Sequence, residues 1–405
     1  MQPFEGIRVI DMTHVYAGPF STYQLAVLGA DVIKVEPPRA PDMTRIEGVS
    51  AVSNEAGLGT SFAAQNAGKR ALALDLKTTA GVEILKRLVA GADVLVENYR
   101  GGTLDKLDLG YGVLAQINPR LIYCSITGFG CTGPKGRDPA YDAVVQAYSG
   151  AMAANGELGA APVRIGPPVI DYGTGAQAAL AISAALLQRH KTGKGQRIDV
   201  SMLDAALLSM SALVTDTLVS GHSPSGQGNA DPSYPGYAAY DTRDGVLMVG
   251  AYTNAQMADL YRALGDDERA AAVAAEPRHL MAARRGGDRA FLQACFARNT
   301  ADHWEALLNR AGVPAARVRT LGEALHDEQL RGRNALQPNP SARIPGLPAR
   351  LPVAAYTYAH GGPALCSGPP SVGEHSRAIL EQLGYDEPAI ESLIEQGVVG
   401  AKEVN

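Results

Sequence analysis

The chain has 405 residues, 46% of them hydrophobic and 19% charged, and carries a net charge of −5 at pH 7. That length exceeds one small core and implies two or three domains, with the composition of a globular protein and not a disordered one. Modest acidity gives no electrostatic reason to expect nucleic acid or an anionic membrane as partner.

No stretch approaches ~18 uninterrupted apolar residues, and "MQPFEGIRVIDM" has no basic region followed by an apolar one. The chain therefore reads as cytoplasmic, with no membrane association. Its four cysteines, Cys124, Cys131, Cys295 and Cys366, include no C-x-x-C pair and are too sparse for a disulfide framework, which fits a reducing compartment.

In chain order, "IRVIDM" (7–12) predicts a strand, "AGP" a turn and "FSTYQLAVLG" a short helix, before a second strand, "ADVIKVEPP", ends at Pro-Pro. The alternation continues with strands in "RALALDLK" (70–77), "ADVLVENYR" (92–100) and "LIYCSITGFG" (121–130), and a helix near 79–90. Strands alternating with helices predict an α/β fold, a Rossmann-like parallel sheet covered on both faces. Its ligands belong at the carboxyl ends of the strands, so "THVYAGP", "EPP", "ENYRGG" and "TGFGCTGPKG" should share one rim.

A long helix over 174–190 then runs through the "KTGKGQ" turn into "RIDVSMLD", and a helical stretch follows from 204 to 220. The expected large domain spans 1–203, with helix and linker over 204–229. A smaller α+β domain covers 230–325 and contains a hairpin turning at Arg243-Asp244-Gly245. A proline-punctuated return linker and C-terminal helices, 326–405, pack back on the large domain.

Motif by motif, most chemistry is excluded. No G-x-x-x-x-G-K-[ST] or G-x-G-x-x-G occurs, which disfavours P-loop and NAD enzymes, and no G-x-S-x-G elbow is present. The eight histidines make no metal-ligand pair, so no metal site is expected. Two clusters remain that could grip phosphates: Asn66, Lys69 and Arg70 before one strand, and Asn98, Arg100 and Lys106 after another. One carboxylate also stands out, Asp171 in "PPVIDYGTGAQ", stiffened by prolines before it and loosened by glycines after it. A helix N-cap and a nucleophile are both open to it on pattern alone.

These segments together resemble family III CoA-transferases, the CaiB/BaiF type that includes formyl-CoA transferase and related acyl-CoA racemases. The resemblance is carried by "GIRVIDMTHVYAGPFSTYQLAVLGADVIKVEPP", "NAGKRALALDLK", "ADVLVENYRGGTLDKLDLGY", "SITGFGCTGP", "YDAVVQAYSG", "DYGTGAQAALAISAALLQRHKTGKGQRIDVSMLDA", "GVPAARVRTLGEAL" and "GEHSRAILEQLGY", nearly the whole chain. It implies that Asp171 attacks the thioester of a donor acyl-CoA and carries the acyl group and then CoA covalently. It further implies that His14, Tyr16 and Ala17 flank the thioester and its oxyanion, with Tyr141 beside them. Asn66, Lys69, Arg70, Asn98, Tyr99, Arg100 and Lys106 would line the CoA path. An interlocked homodimer is implied, with acyl-CoA and a carboxylic acid as substrates and no permanently bound cofactor.

Departures from the family bear on the substrate. Tyr16 replaces the Gln of formyl-CoA transferases and their "GGGGQ" lid has no counterpart, which argues against formate and oxalate. The expected partner acid is a dicarboxylate such as succinate or a related acid, which these residues do not themselves name. In the racemase branch a His stands where this chain has Tyr141, and an acid where it has Thr253, so two-base racemisation lacks its second base. A CoA-binding regulator without turnover is the remaining alternative.

Overall fold

Neighbouring residues of the first strand serve two different cores. In β1 (Arg8–Met12), Ile10 and Met12 pack with Ile33, Leu72 and Leu95 on one face, while Val9 packs with Val32, Val94 and Ile122 on the other. A sheet covered on both faces needs strands that are apolar nearly throughout, which these are. The structure, a computed structural model, describes residues 1–231, 233–275 and 281–402, apart from the side chains of 281–285.

The strands that follow are β2 (Asp31–Glu36), β3 (Arg70–Leu74), β4 (Val94–Glu97), β5 (Ile122–Thr127), β6 (Gln196–Ser201), β7 (Tyr237–Asp241), β8 (Val246–Gly250), β9 (Ala315–Arg317), β10 (Leu336–Pro338), β11 (Arg350–Pro352) and β12 (Val399–Gly400). Seven form one sheet in the order β12-β3-β2-β1-β4-β5-β6, parallel except for β12 against β3. Reading the C-terminal segment as helices alone misses β12, too short for any period to reveal. It closes the β3 edge, where the Ser376 hydroxyl accepts from the Ala73 N–H and donates to the Gly400 carbonyl.

The chain leaves β1 toward β2 and later crosses back to place β4 on the other side, so the sheet's switch point lies between β1 and β4. The loops after these two strands meet there. Helices α1 (Ala17–Ala26), α2 (Thr79–Ala90), α3 (Asp142–Ser149), α4 (Val169–Thr192), α5 (Met202–Ser209) and α6 (Ser211–Ser220) surround the sheet.

The expected start of the long helix at 174 is corrected: α4 begins at Val169 and contains both Gly173 and Gly175. Its end at Gly193, with φ of 73°, is as the "KTGKGQ" pattern predicts. The reason for Gly175 is close packing on α1, since a Cβ there would sit 2.5 Å from the Ala17 carbonyl oxygen. Gly175→Ala is therefore expected to cost ~1–3 kcal/mol of stability by denaturant titration and to lower catalytic activity by ~10-fold or more through displacement of α4.

The chain divides into two compact units, one built from Met1–Ala151, Ile165–Gly221 and Arg331 onward, the other from Met152–Arg164 and His222–Leu330. Placing 152–164 in the large domain is thus corrected. The Gly228 N–H donates to the Gly156 carbonyl and holds that segment to the second unit. This unit carries the antiparallel sheet β7-β8-β9 and a core around Tyr240, Tyr261, Phe296 and Trp304. Thr242 N–H bonds the Gly245 carbonyl across the expected hairpin turn. Among the described residues no single helix is long and apolar enough to cross a membrane, although α5 and α6 reach that composition as a pair bent by 79°.

Candidate active site

Every peptide group from Thr13 to Val15, just past β1, is held by a side chain. Thr13 N–H donates to Asp11, and its carbonyl accepts from Lys34 Nζ at 2.8 Å. Asn98, at the end of β4, grips His14 twice, accepting from its N–H at 2.9 Å and donating to its carbonyl at 2.8 Å. Val15 N–H points to the Asp42 carboxylate at 3.2 and 3.3 Å. Val15 has φ of 69°, in the left-handed region, where a β-branched residue costs ~1–3 kcal/mol unless its surroundings hold it.

Helix α1 starts immediately afterwards with Tyr16 at its N-cap and no side chain capping its first turn. Its leading amides are consequently available to a ligand anion. Asp171 lines the same cavity as His14, Tyr16 and Ala17 at this end of α1.

Asp171 is not the cap of α4. Pro168 holds that position, and Asp142 supplies the capping carboxylate, accepting from the N–H groups of Ile170 at 2.7 Å and Asp171 at 3.1 Å. This arrangement leaves the buried Asp171 carboxylate without a hydrogen-bond donor among the described residues. Burial first, and the Asp142 charge second, push its pKa up to about 7. Asp142 takes the helix-start amides, so they do not favour the ionised form of Asp171.

The stability consequence has a definite sign. The native state holds a proton on Asp171 that the unfolded chain, near pKa 3.8, does not, so this site favours folding less and less as pH rises from about 4 to about 7. Asp171→Asn is expected to be more stable than the parent by ~2–4 kcal/mol at pH 8, with the gain fading toward pH 4. Urea titrations at the two pH values check it.

The cavity around Asp171 is about 240 Å³ and is completed by Asn98, Tyr99, Arg100, Thr127, Gly128, Phe129, Tyr141 and Met202. A second, larger cavity of about 470 Å³ shares Tyr99, Arg100 and Thr127 with it and adds Arg137 and Arg197, the rings of Tyr111 and Tyr123, and the acids Glu97, Asp105 and Asp199. Burial raises the pKa of Glu97, whose carboxylate accepts from the Ser125 hydroxyl and the Tyr99 N–H. His14, whose pKa burial lowers, packs its ring edge-on to Tyr99 at 5.3 Å.

Of the predicted site residues, the structure gathers Asp171, His14, Tyr16, Ala17, Tyr141, Asn98, Tyr99 and Arg100. It separates the others. Lys69 is wholly buried and binds Asp11 and Asn66, while Asn66 also donates to the Phe62 carbonyl. Arg70 pairs with Asp31, and Lys106 is exposed and lines neither cavity. Asn66, Lys69 and Arg70 thus each hold a partner within the chain, and Lys106 stays exposed next to Asp105 of the larger cavity. Thr253, where a racemase acid would stand, caps the helix Asn254–Ala263. Among the described residues no group of three or more metal-ligating side chains occurs. Asp142, Arg137 and Arg197 are additions to the candidate site residues.

The CoA-transferase family III profile matches residues 4–376. The chain belongs to CoA-transferase family III. It is 36% identical over 404 residues to the mouse succinyl-CoA:glutarate CoA-transferase, covering all of this chain and 92% of that one. It is 35% identical to the acetyl-CoA:oxalate CoA-transferase of Acetobacter aceti, covering 95% and 97%. A CAIB/BAIF family protein from Brucella suis has the same fold, with a TM-score of 0.81, 34% identity and coverage of 94% and 99%. A family III CoA-transferase takes CoA thioesters as substrates, so the two adjoining cavities are the natural place to look for its chemistry.

Proposed function

We propose that Asp171 is the nucleophile of CoA transfer between a dicarboxylic acyl-CoA, such as succinyl-CoA, and a second carboxylic acid. The observation that carries this reading is a buried carboxylate with no donor of its own, in one cavity with the uncapped start of α1. Its oxygen attacks the thioester carbonyl carbon. The developing oxyanion is met by the Ala17 and Gly18 N–H groups at the α1 start, and the C–S bond breaks to release CoA thiolate. The result is a mixed anhydride on Asp171.

The thiolate then attacks the Asp171 acyl carbon, expelling the donor acid as a carboxylate and leaving an aspartyl-CoA thioester. An acceptor carboxylate attacks that thioester, forms a second mixed anhydride and frees the thiolate again. Thiolate attack on the acceptor's acyl carbon gives the product acyl-CoA and restores Asp171. Each step exchanges one activated acyl bond for another, so no ATP is consumed.

Arg100, Arg137 and Arg197 beside tyrosine rings suit the phosphates and adenine of CoA in the larger cavity, with the thioester reaching the smaller one. Relatives named for succinyl-CoA with glutarate or mesaconate support a dicarboxylic substrate, and the oxalate-named relative keeps oxalate among the acids to test. A homodimer accords with the exposed Leu207, Leu208, Leu213, Leu218 and Val219 of α5 and α6, an apolar face of the kind that subunits bury.

A matrix of acyl-CoA donors against carboxylic acids, read by mass spectrometry, tests the assignment. Transfer should occur without deuterium entering the α-carbon from solvent; α-exchange in the absence of any acceptor acid would favour the racemase reading. Because Asp171 attacks as a carboxylate, kcat/KM for the acyl-CoA should fall about tenfold per pH unit below about 7 and level off above it.

A further inference from the structure

Beneath the 13–15 loop lies a set of charges with no contact to either cavity. Lys34 and Asp42 are buried at 0% and 2% exposure and pair at 3.2 Å. Asp42 also accepts from the Thr44 N–H and hydroxyl, at 3.0 and 2.8 Å, and its own N–H donates to Glu36. Glu36 in turn is held by Arg45 through two bonds, 2.9 and 2.6 Å. A buried ion pair of this kind is poor evidence for stability, since apolar residues of equal size often do as well. What Lys34 and Asp42 do besides pairing is specific: one holds the Thr13 carbonyl, the other the Val15 N–H.

We propose that Asp42, charged and fixed by Lys34 and Thr44, is a positioning residue for CoA transfer, holding Val15 in its left-handed conformation so that Tyr16 and the Ala17 N–H face Asp171. The proposal rests on Asp171 acting as described above. Val15 is the β-branched member of the three non-glycine residues with positive φ among those described; the others are Asp108 and Asn334, types that tolerate it. Without the carboxylate, Val15 would relax toward negative φ and turn the α1 end away, a displacement that harms the reacting geometry more than substrate binding.

Asp42→Asn keeps the shape, removes the charge and sets an NH2 donor against either Lys34 Nζ or the Thr44 hydroxyl, so the oxygen facing Val15 is no longer fixed from both sides. With succinyl-CoA and glutarate as the assay pair, kcat should fall ~100-fold while KM for succinyl-CoA stays within about threefold. Adding Val15→Gly to the same chain should restore kcat by about tenfold, because glycine adopts positive φ without being held. Thr44→Val, which removes one support of Asp42 at constant volume, should lower kcat about threefold to tenfold, and it decides the matter if Asp42→Asn does not fold. A lowered melting temperature with unchanged kcat per folded molecule, or a loss carried wholly by KM, overturns the proposal. Undiminished kcat in Asp42→Asn beside an inactive Asp171→Ala contradicts this proposal alone; undiminished transfer by Asp171→Ala contradicts it together with the nucleophile reading.

Discussion

Asp171→Ala is expected to lower CoA transfer by ~10⁴-fold or more while the protein stays folded, the scale seen when a covalent nucleophile is removed. Folding should survive because the substitution deletes a carboxylate whose burial, beside Asp142, works against the native state at neutral pH. The alanine variant should still bind acyl-CoA, since the arginines and tyrosines of the larger cavity are untouched. Loss of turnover with retained binding is what separates a missing nucleophile from a damaged site. Steady-state kinetics and a thermal shift with acyl-CoA measure both.

Asp142→Ala should be the second severe change, and for a different reason. It strips the acceptor from two buried amides, those of Ile170 and Asp171, at ~1–3 kcal/mol for each group left unsatisfied. The freed amides would then draw the Asp171 side chain back as a cap, since a carboxylate at a helix start is drawn to them. We expect stability to fall and kcat to drop ~10²-fold or more as the nucleophile turns toward its own helix. Asp142→Asn separates the two effects: its side-chain oxygen can still accept, so most stability remains. Loss of the Asp142 charge removes one of the two causes raising the Asp171 pKa, which should move the acid limb of the kcat/KM profile below about 7.

The sheet was legible because each of its central strands is a short apolar run between turn residues, and burial on both faces makes such runs unavoidable. The rim followed from topology, and Asn98 and Arg100 stood out on it as polar groups after a strand, whereas His14, Tyr16, Ala17 and Tyr99 were named only through the family resemblance. Asp171 stood out in its segment, but its local setting suited a cap as well as a nucleophile. The residue that relieves it of capping, Asp142, arrives from a helix 29 positions away in sequence. No short window contains both.

Lys69 and Arg70 were hard to place for the opposite reason: basic residues beside a strand resemble phosphate ligands when their partners are remote. Lys69 meets Asp11 across 58 residues, and Arg70 meets Asp31 across 39. A signal was present, however. Asp11 in "IRVIDM" and Lys34 in "ADVIKVE" are charges inside otherwise buried strands, and such charges require partners within the fold. Reading them as a buried set would have claimed Lys69 for the interior and drawn attention to Asp42.

The most direct test of Asp171 as the covalent carrier is to incubate the enzyme with succinyl-CoA alone, quench with borohydride or hydroxylamine, and examine the peptide bearing residue 171 by mass spectrometry. Reduction of an aspartyl-CoA thioester to the alcohol, or its capture as the hydroxamate, should appear at Asp171 and be lost in Asp171→Asn. An unmodified Asp171 peptide from enzyme that is turning over, or an adduct on another residue, would contradict the account.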